Sequence, residues 1–274
     1  MGSQPTAIEI ADTSAWLGKR GVRVGIPSRP LTVRIAARQT RGTTTGILWL
    51  VGAVIFGFAV TITYSYMQNL PGVRGVEMPE SRYAYFTVAA ISLGQWASIL
   101  HRERQLGGLP APNRRPPSAA GVLGGWYLAS FLITFVGGAA LAVAMYLTTS
   151  SRTFAWTWLA ILGWGAICCT TILVWTVRRR GRGEDAASIA VDKELRLQDR
   201  WLLPPAVFPV VSLIDPLFSH RSPPGFTWWM VGYAALAAAT AVLAYRRDAR
   251  RPALPPGIYG TDETTSVPNQ TYNP

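Results

Sequence analysis

The sequence AWTWLAILGWGAICCTTILVWTV occupies residues 155–177 and contains no charged side chain. A helix needs about 20 apolar residues to cross the hydrocarbon core of a bilayer, and this stretch supplies them without interruption. Trp156 and Trp158 stand at its start and three arginines follow its end, as expected where an aromatic belt and a cationic loop flank a span. The stretch therefore predicts a membrane-spanning helix.

The composition extends this prediction to the whole chain of 274 residues. Hydrophobic residues make up 49% of it and charged residues only 15%, whereas soluble globular chains carry about a quarter charged residues. We predict an all-α fold, a polytopic transmembrane helical bundle with six spans, or five as the alternative. The predicted spans cover approximately residues 46–67, 83–100, 121–147, 155–177, 201–218 and 226–245.

Polar segments flank and interrupt the predicted bundle of residues 46–245. Residues 1–45 form a basic cytoplasmic leader, which we expect to be solvated, although residues 31–41 mix aliphatics and arginines like a helix on a membrane surface. Residues 184–200 include a short amphipathic helix, whose charges we interpret as a solvated face. Residues 246–274 are rich in Pro, Thr and Asn, and we predict a disordered cytoplasmic tail.

The positions of the 26 Lys and Arg residues favour six spans. Six spans place 22 of them on one side of the membrane and 4 on the other, whereas five spans give 19 and 7. Cytoplasmic loops are enriched in Lys and Arg, so both termini are predicted to be cytoplasmic. All but two of these residues are arginines, which is typical of a GC-rich bacterial genome. We therefore predict a multi-pass protein of the plasma (inner) membrane.

The fifth predicted span differs from the others in its proline content. Residues 201–218 contain Pro204, Pro205, Pro209 and Pro216. Proline lacks a backbone donor and interrupts a helix, and the freed backbone groups must find partners in neighbouring protein. The segment is therefore predicted either to cross the membrane or to enter and leave it on one side.

Asp215 and Gln95 are the candidate site residues. Asp215 is the only Asp, Glu, His, Lys or Arg within a predicted span, and an acid at that depth is costly enough to indicate a proton or cation site. Gln95 is the notable polar residue of the second span. The structural interpretation, which we favour, is that Asp215 starts an Asp-Pro turn near the outer end of its span. Gln95 then hydrogen-bonds to a neighbouring helix.

No other pattern in the sequence predicts catalysis, a metal or a cofactor. Cys168 and Cys169 are adjacent in an apolar run, where cysteine behaves as a small hydrophobe. His101 and His220 are predicted on opposite sides of a bilayer core about 30 Å thick, too far apart to share an ion. We predict no catalytic residue, no cofactor and no metal. The net charge of +12 lies in the loops and does not indicate a nucleic-acid partner.

Three function classes fit this sequence. The favoured one is a non-catalytic integral membrane protein, a subunit or accessory or assembly factor of a membrane complex. Its partners would be the lipid bilayer and a membrane protein or a second copy of the chain. The alternative is a small transporter or channel that uses Asp215 in a proline-broken helix. A membrane enzyme is the third class, disfavoured because no cluster of reactive side chains is recognisable.

Overall fold

The computed structural model describes residues 5–39, 82–106, 119–179, 186–217, 222–250 and 254–261, together with six isolated helical positions between residues 51 and 66. The first predicted span, 46–67, otherwise lies outside the described residues. The part of the chain that the structure describes is mostly helical, as predicted.

The described elements are ten helices and one pair of two-residue strands. The helices are α1 (Ala7–Gly18), α2 (Arg29–Gln39), α3 (Arg82–Gln105), α4 (Ala119–Leu123), α5 (Gly125–Thr148), α6 (Arg152–Arg178), α7 (Ala186–Asp199), α8 (Val207–Ser212), α9 (Ile214–Leu217) and α10 (Thr227–Ala249). The strands β1 (Ile26–Pro27) and β2 (Gly260–Thr261) pair antiparallel.

Among the described helices, three are long and apolar enough to cross a membrane, namely α5, α6 and α10, with 24, 27 and 23 residues. At about 1.5 Å per residue each exceeds the roughly 30 Å of a hydrocarbon core. They match the third, fourth and sixth predicted spans. Helix α3 covers the second predicted span with 24 residues. Its Ser92, Gln95 and Ser98 make α3 more polar than α5, α6 and α10, and it is not among the described helices that are apolar enough to cross a membrane.

Residues 201–218, predicted either to cross the membrane or to enter and leave it on one side, contain no continuous helix. The segment forms turns up to Ala206 and then the short helices α8 and α9, which break between Ser212 and Ile214. Its prolines explain the break, because each removes a backbone donor and fixes φ. Phe208, Pro209 and Pro216 are buried, so the irregular backbone lies within the protein.

Close approaches of aromatic rings to glycines hold the helices together. A Cβ on Gly165 of α6 would lie 2.5 Å from the Phe208 ring of α8, and one on Gly138 of α5 would lie 2.6 Å from the Tyr233 hydroxyl of α10. Helix α5 contains a π-helical turn over Ile133–Gly137, and Tyr233 donates a 2.6 Å hydrogen bond to the carbonyl of Thr134 within it. The irregular turn is thus stabilised by a neighbouring helix.

A second hydrophobic core lies outside the long apolar helices. It joins α1, α2 and α7 to residues 254–261, and its buried side chains are Trp16, Leu17, Leu31, Ile35, Ala187, Val191, Leu195 and Tyr259. We call the assembly of α1, β1, α2, α7 and residues 254–261 the basal unit. The pairing of β1 with β2 and a hydrogen bond from Leu254 N to the Arg20 carbonyl, 3.2 Å long, fasten its last segment.

The basal unit corrects two predictions from composition. The leader is not solvated over α2, where Leu31, Arg34 and Ile35 are all buried. The tail is not disordered over residues 254–261, because Tyr259 is 3% exposed and packs in the second core. Polar composition was misleading in both cases because a few apolar side chains at helical or strand spacing suffice for docking onto a neighbour.

Candidate functional site

A buried ion network lies where the basal unit meets the ends of α3 and α6. Four arginines and three carboxylates form it, and all seven side chains are between 0% and 9% exposed. Helix α2, the end of α3, the residue after α6, and α7 each contribute. The members are Arg34, Arg38, Glu103, Arg179, Asp192, Arg196 and Asp199.

Arg38 stands at the centre of the ion network. Its Nε and Nη2 donate to the two carboxylate oxygens of Asp199 at 2.7 and 2.8 Å, and Nη2 also donates to Glu103 Oε1 at 2.7 Å. Such two-point arginine–carboxylate pairs are the stronger kind of ion pair. Burial alone would lower the pKa of Arg38, but the Asp199 and Glu103 carboxylates outweigh it and raise that pKa. Arg38 is therefore held in its charged form.

Glu103 connects α2 to the end of α6. Burial alone would raise the pKa of Glu103, but the charges of Arg38, Arg179 and Arg34 lower it to about 2. Arg179 Nη1 lies 3.1 Å from Glu103 Oε1 and 3.0 Å from Asp199 Oδ2. The carboxylate of Glu103 is therefore a charged, structural group at neutral pH and not a proton donor.

Arg179 is the least satisfied member of the ion network. Its Nε has no hydrogen-bond partner among the described residues, and its Nη2 reaches Asp192 Oδ1 only at 3.6 Å. Burial lowers its pKa to about 10, although Asp199, Glu103 and Asp192 counteract this. Its guanidinium also lies over the Trp175 ring, 5.1 Å from the centroid.

Arg196 closes the C-terminal end of α6. Its Nε donates to Asp192 Oδ2 at 2.8 Å, one turn earlier on α7. Its Nη atoms donate to the carbonyls of Thr176 and Arg179 at 3.1 and 2.7 Å. Carbonyls in the last turn of a helix lack partners within the helix, and here an arginine of the next helix supplies the donors.

A separate pair, Arg200 with Asp248, ties the end of α7 to α10. The two side chains form a hydrogen-bonded ion pair, and Trp201 Nε1 donates to the same Asp248 carboxylate at 2.9 Å. Arg200 also donates to the carbonyls of Val122 and Leu123 at 2.6 Å. The end of α4 and the end of α10 therefore meet at Arg200, next to the basal unit.

The chemistry of the ion network is structural. Its three carboxylates offset three of its four arginine charges, and all seven side chains are buried, so it offers no exposed nucleophile or proton donor. Among the described residues, no group of three or more His, Cys, Asp or Glu could hold a metal ion. Removing one member of a buried ion network leaves an uncompensated charge, which is far more costly than the intact network is stabilising. The network therefore specifies one arrangement of four chain segments.

The structure buries both candidate residues of the sequence. Asp215 lies in the first turn of α9 and is 0% exposed, so its carboxyl group is inside the protein and not at a solvated turn. Gln95 is half-buried on α3. Helix α3 packs on the proline-rich segment, since the Tyr85 hydroxyl donates to the Phe208 carbonyl at 2.8 Å. A transport role for Asp215 and Gln95 stays a prediction.

The members of the ion network were not recognised in the sequence, although a signal was present. Asp192, Arg196 and Asp199 are spaced at i, i+4 and i+7, and Arg34 and Arg38 at i and i+4. Such spacings put charges of α7 on one face and those of α2 on another. The interpretation of residues 184–200 as a solvated face is wrong for Asp192, Arg196 and Asp199, which are 4%, 3% and 1% exposed.

The described surface includes two clefts of similar size. One, of about 620 Å³, lies at the basal unit between the ends of α1, α7 and α10, and Lys19, Trp201 and Tyr245 line it. The other, of about 510 Å³, lies between the C-terminal end of α5 and the N-terminal end of α6, away from the basal unit. Neither cleft is lined by Asp215.

No protein-family model, curated protein or solved structure matches this chain.

Proposed function

We propose that the chain crosses a bacterial inner membrane six times, with the basal unit in the cytoplasm. The support is that all four basic segments assigned to that side contact one another. Arg38 of the leader and Arg179 after α6 both contact Glu103 at the end of α3, and Arg200 contacts Asp248 near the end of α10. Segments that touch on one side of a membrane are separated by an even number of crossings.

The proline-rich segment then supplies the fifth crossing without a continuous helix. Helix α10 accounts for one of the two crossings between Arg200 and Asp248, so residues 201–226 account for the other. Together α8 and α9, of six and four residues, cover about 15 Å at the helical rise. Residues 201–206 and 222–226 are irregular backbone, which is tolerated at membrane depth only inside protein. The burial of Pro209 and Pro216 fits this condition.

We expect labelling of single cysteines to follow this topology. In a background with Cys168→Ala and Cys169→Ala, Ser150→Cys between α5 and α6 should react with an impermeant maleimide on intact cells. Lys193→Cys and Arg250→Cys, both at exposed positions, should react only after permeabilisation. Labelling of Arg250→Cys on intact cells would contradict six crossings and favour five.

We further propose that the protein is a non-catalytic subunit or assembly factor of a membrane complex, and that the basal unit holds its partner, another membrane protein. This proposal rests on the structural role of the buried ion network. They fix four distant segments into one folded unit on the membrane and form no reactive centre. Burying these charges carries a desolvation penalty. A surface that is held in one conformation loses little entropy on binding, which suits recognition of another protein.

Copurification from native membranes in mild detergent tests the subunit proposal. We expect the wild-type chain to carry a second membrane protein in fixed stoichiometry, measured by native mass spectrometry. Arg38→Leu should lose that protein while reaching the membrane at the wild-type level, because the basal unit detaches. Arg23→Gln, at an exposed arginine of the same leader, should retain it.

Recovery of the 29.8 kDa chain alone would contradict the subunit proposal. The transport alternative would then be tested in liposomes, by following proton flux with an enclosed pH dye. In that case Asp215→Asn should abolish a flux that the wild-type chain supports. The absence of any flux through the wild-type chain would remove the transport alternative as well.

A further inference from the structure

A groove between α5 and α6 opens at the end of these helices that lies away from the basal unit. Its floor is formed by Ala142 and Ala155, which are 2% and 1% exposed. The small alanine side chains leave a volume of about 510 Å³ between bulkier neighbours. Trp156 and Tyr146, 63% and 43% exposed, form its walls. The groove is thus mostly apolar and faces outward from the helix pair.

The rim of this groove carries an arginine, Arg152, that pairs with no carboxylate of the described residues. Arg152 lines the groove and begins α6, and the first turn of α6 contains no acidic residue. Within the described ranges, Arg152 makes no ion pair, and its guanidinium lies over the Tyr146 ring, 5.7 Å from the centroid. A stable positive charge therefore stands at the mouth of an apolar groove.

We propose that this groove binds one anionic phospholipid, with an acyl chain along the alanine floor and the headgroup phosphate at Arg152. The inference rests on the proposed membrane placement, which puts the groove in the outer leaflet. An arginine at the end of a span lies at headgroup depth, and a guanidinium matches the geometry of phosphate oxygens. Trp156 and Tyr146 are amphipathic rings, which favour the same depth.

A lipid fits this groove better than a protein helix does. A second copy that packed on the alanine floor through its own α5 or α6 would bring no carboxylate to Arg152, because neither helix contains Asp or Glu. The charge of Arg152 would then lose water without gaining an anion. A phospholipid supplies a chain for the apolar floor and an anion for the rim in one molecule. Charge complementarity at Arg152 therefore favours an anionic phospholipid over a protein helix in this groove.

Native mass spectrometry of the full chain, with phosphatidylglycerol or phosphatidylcholine of identical acyl chains added, tests the proposal. We expect the wild-type chain to retain one phosphatidylglycerol with a preference of about fivefold over phosphatidylcholine, because the choline cation of phosphatidylcholine offsets its phosphate charge and weakens the attraction to Arg152. Arg152→Gln should abolish the preference. Arg178→Gln removes an exposed arginine from the other end of the same helix and should keep it. Val143→Trp, at an exposed position that lines the groove, should weaken retention of both lipids.

Each contrary outcome has a distinct meaning. Equal retention of the two lipids by the wild-type chain, or equal loss in Arg152→Gln and Arg178→Gln, would overturn the site and leave only ordinary surrounding lipid. A lipid-free dimer would overturn it in favour of a second copy as the occupant. A chain recovered in the soluble fraction without detergent would overturn the membrane placement itself, whereas failure of the lipid preference alone leaves the subunit proposal intact.

Discussion

Replacing Arg38 with leucine should weaken the attachment of the basal unit by about 3–5 kcal/mol, because it leaves the carboxylates of Glu103 and Asp199 buried without their shared partner. We expect the effect as faster hydrogen exchange in α2. Since about 1.4 kcal/mol corresponds to a factor of ten, the amides of α2 should exchange about a hundredfold faster or more. Exchange within α5 and α6 should change little, since these helices pack through a separate hydrophobic core that contains Phe135, Met145 and Trp158.

Two further variants separate the loss of ion pairing from a general loss of folding. Arg23→Gln changes an exposed arginine of the same leader and should stay within about 0.5 kcal/mol of wild type. The double variant Arg38→Leu with Glu103→Leu removes opposite charges together and should recover part of the loss. The free-energy losses of Arg38→Leu, Glu103→Leu and the double variant are calculated from their exchange rates. If the loss in the double variant equalled the sum of the two single losses, the ion pair between Arg38 and Glu103 would not be the cause of the destabilisation.

The contribution of Glu103 to the stability of the fold should be lost in acid, within a defined pH window. The pKa of its carboxyl is 4.5 ordinarily and about 2 in the folded protein, where burial is outweighed by Arg38, Arg179 and Arg34. The charged form therefore stabilises the fold, by about 3 kcal/mol. This contribution is fully present above pH 4.5 and is lost as the pH falls towards 2. We expect the thermal unfolding midpoint in detergent, followed by tryptophan emission, to fall across this window.

Glu103→Gln is the control for the pH experiment, because other carboxyl groups also protonate in acid. The midpoint of wild type should exceed that of Glu103→Gln at about pH 6, and the difference should nearly vanish by about pH 2. A difference that stays constant over this range would show that Glu103 is not held in its charged form by the ion network.

The long apolar helices were predictable because their signal is local. Residues 121–147, 155–177 and 226–245 each carry a run of apolar side chains, and the described helices α5, α6 and α10 lie there. Length and hydropathy depend on one segment alone, so a single sequence suffices to place such helices. The start of α5 is later than predicted, because Gly124 adopts a positive φ of 73° and separates it from α4.

The ion network was missed because its meaning depends on partners far away in the sequence. Arg38 and Asp199 are 161 residues apart, and each alone resembles a solvated surface charge. Composition gives the charge of a segment but not the carboxylates that other segments bring to it. The same limit applies to Tyr259, whose burial depends on the surfaces of α1, α2 and α7. Tertiary context thus overrode two reasonable interpretations of polar sequence.

The pairing of Ile26 with Thr261 has a consequence for how the protein is made. A ribosome synthesises the leader first, but the partners that fix it, Glu103, Asp199 and Thr261, emerge much later. The contacts of the leader with Asp199 and Thr261 can therefore form only after α5 and α6 have been synthesised. Contacts of such sequence separation form slowly, so we expect docking of the leader to follow synthesis of these helices. A chain that stops before Thr261 would contain every long helix that the structure describes and still lack the strand that pairs with Ile26.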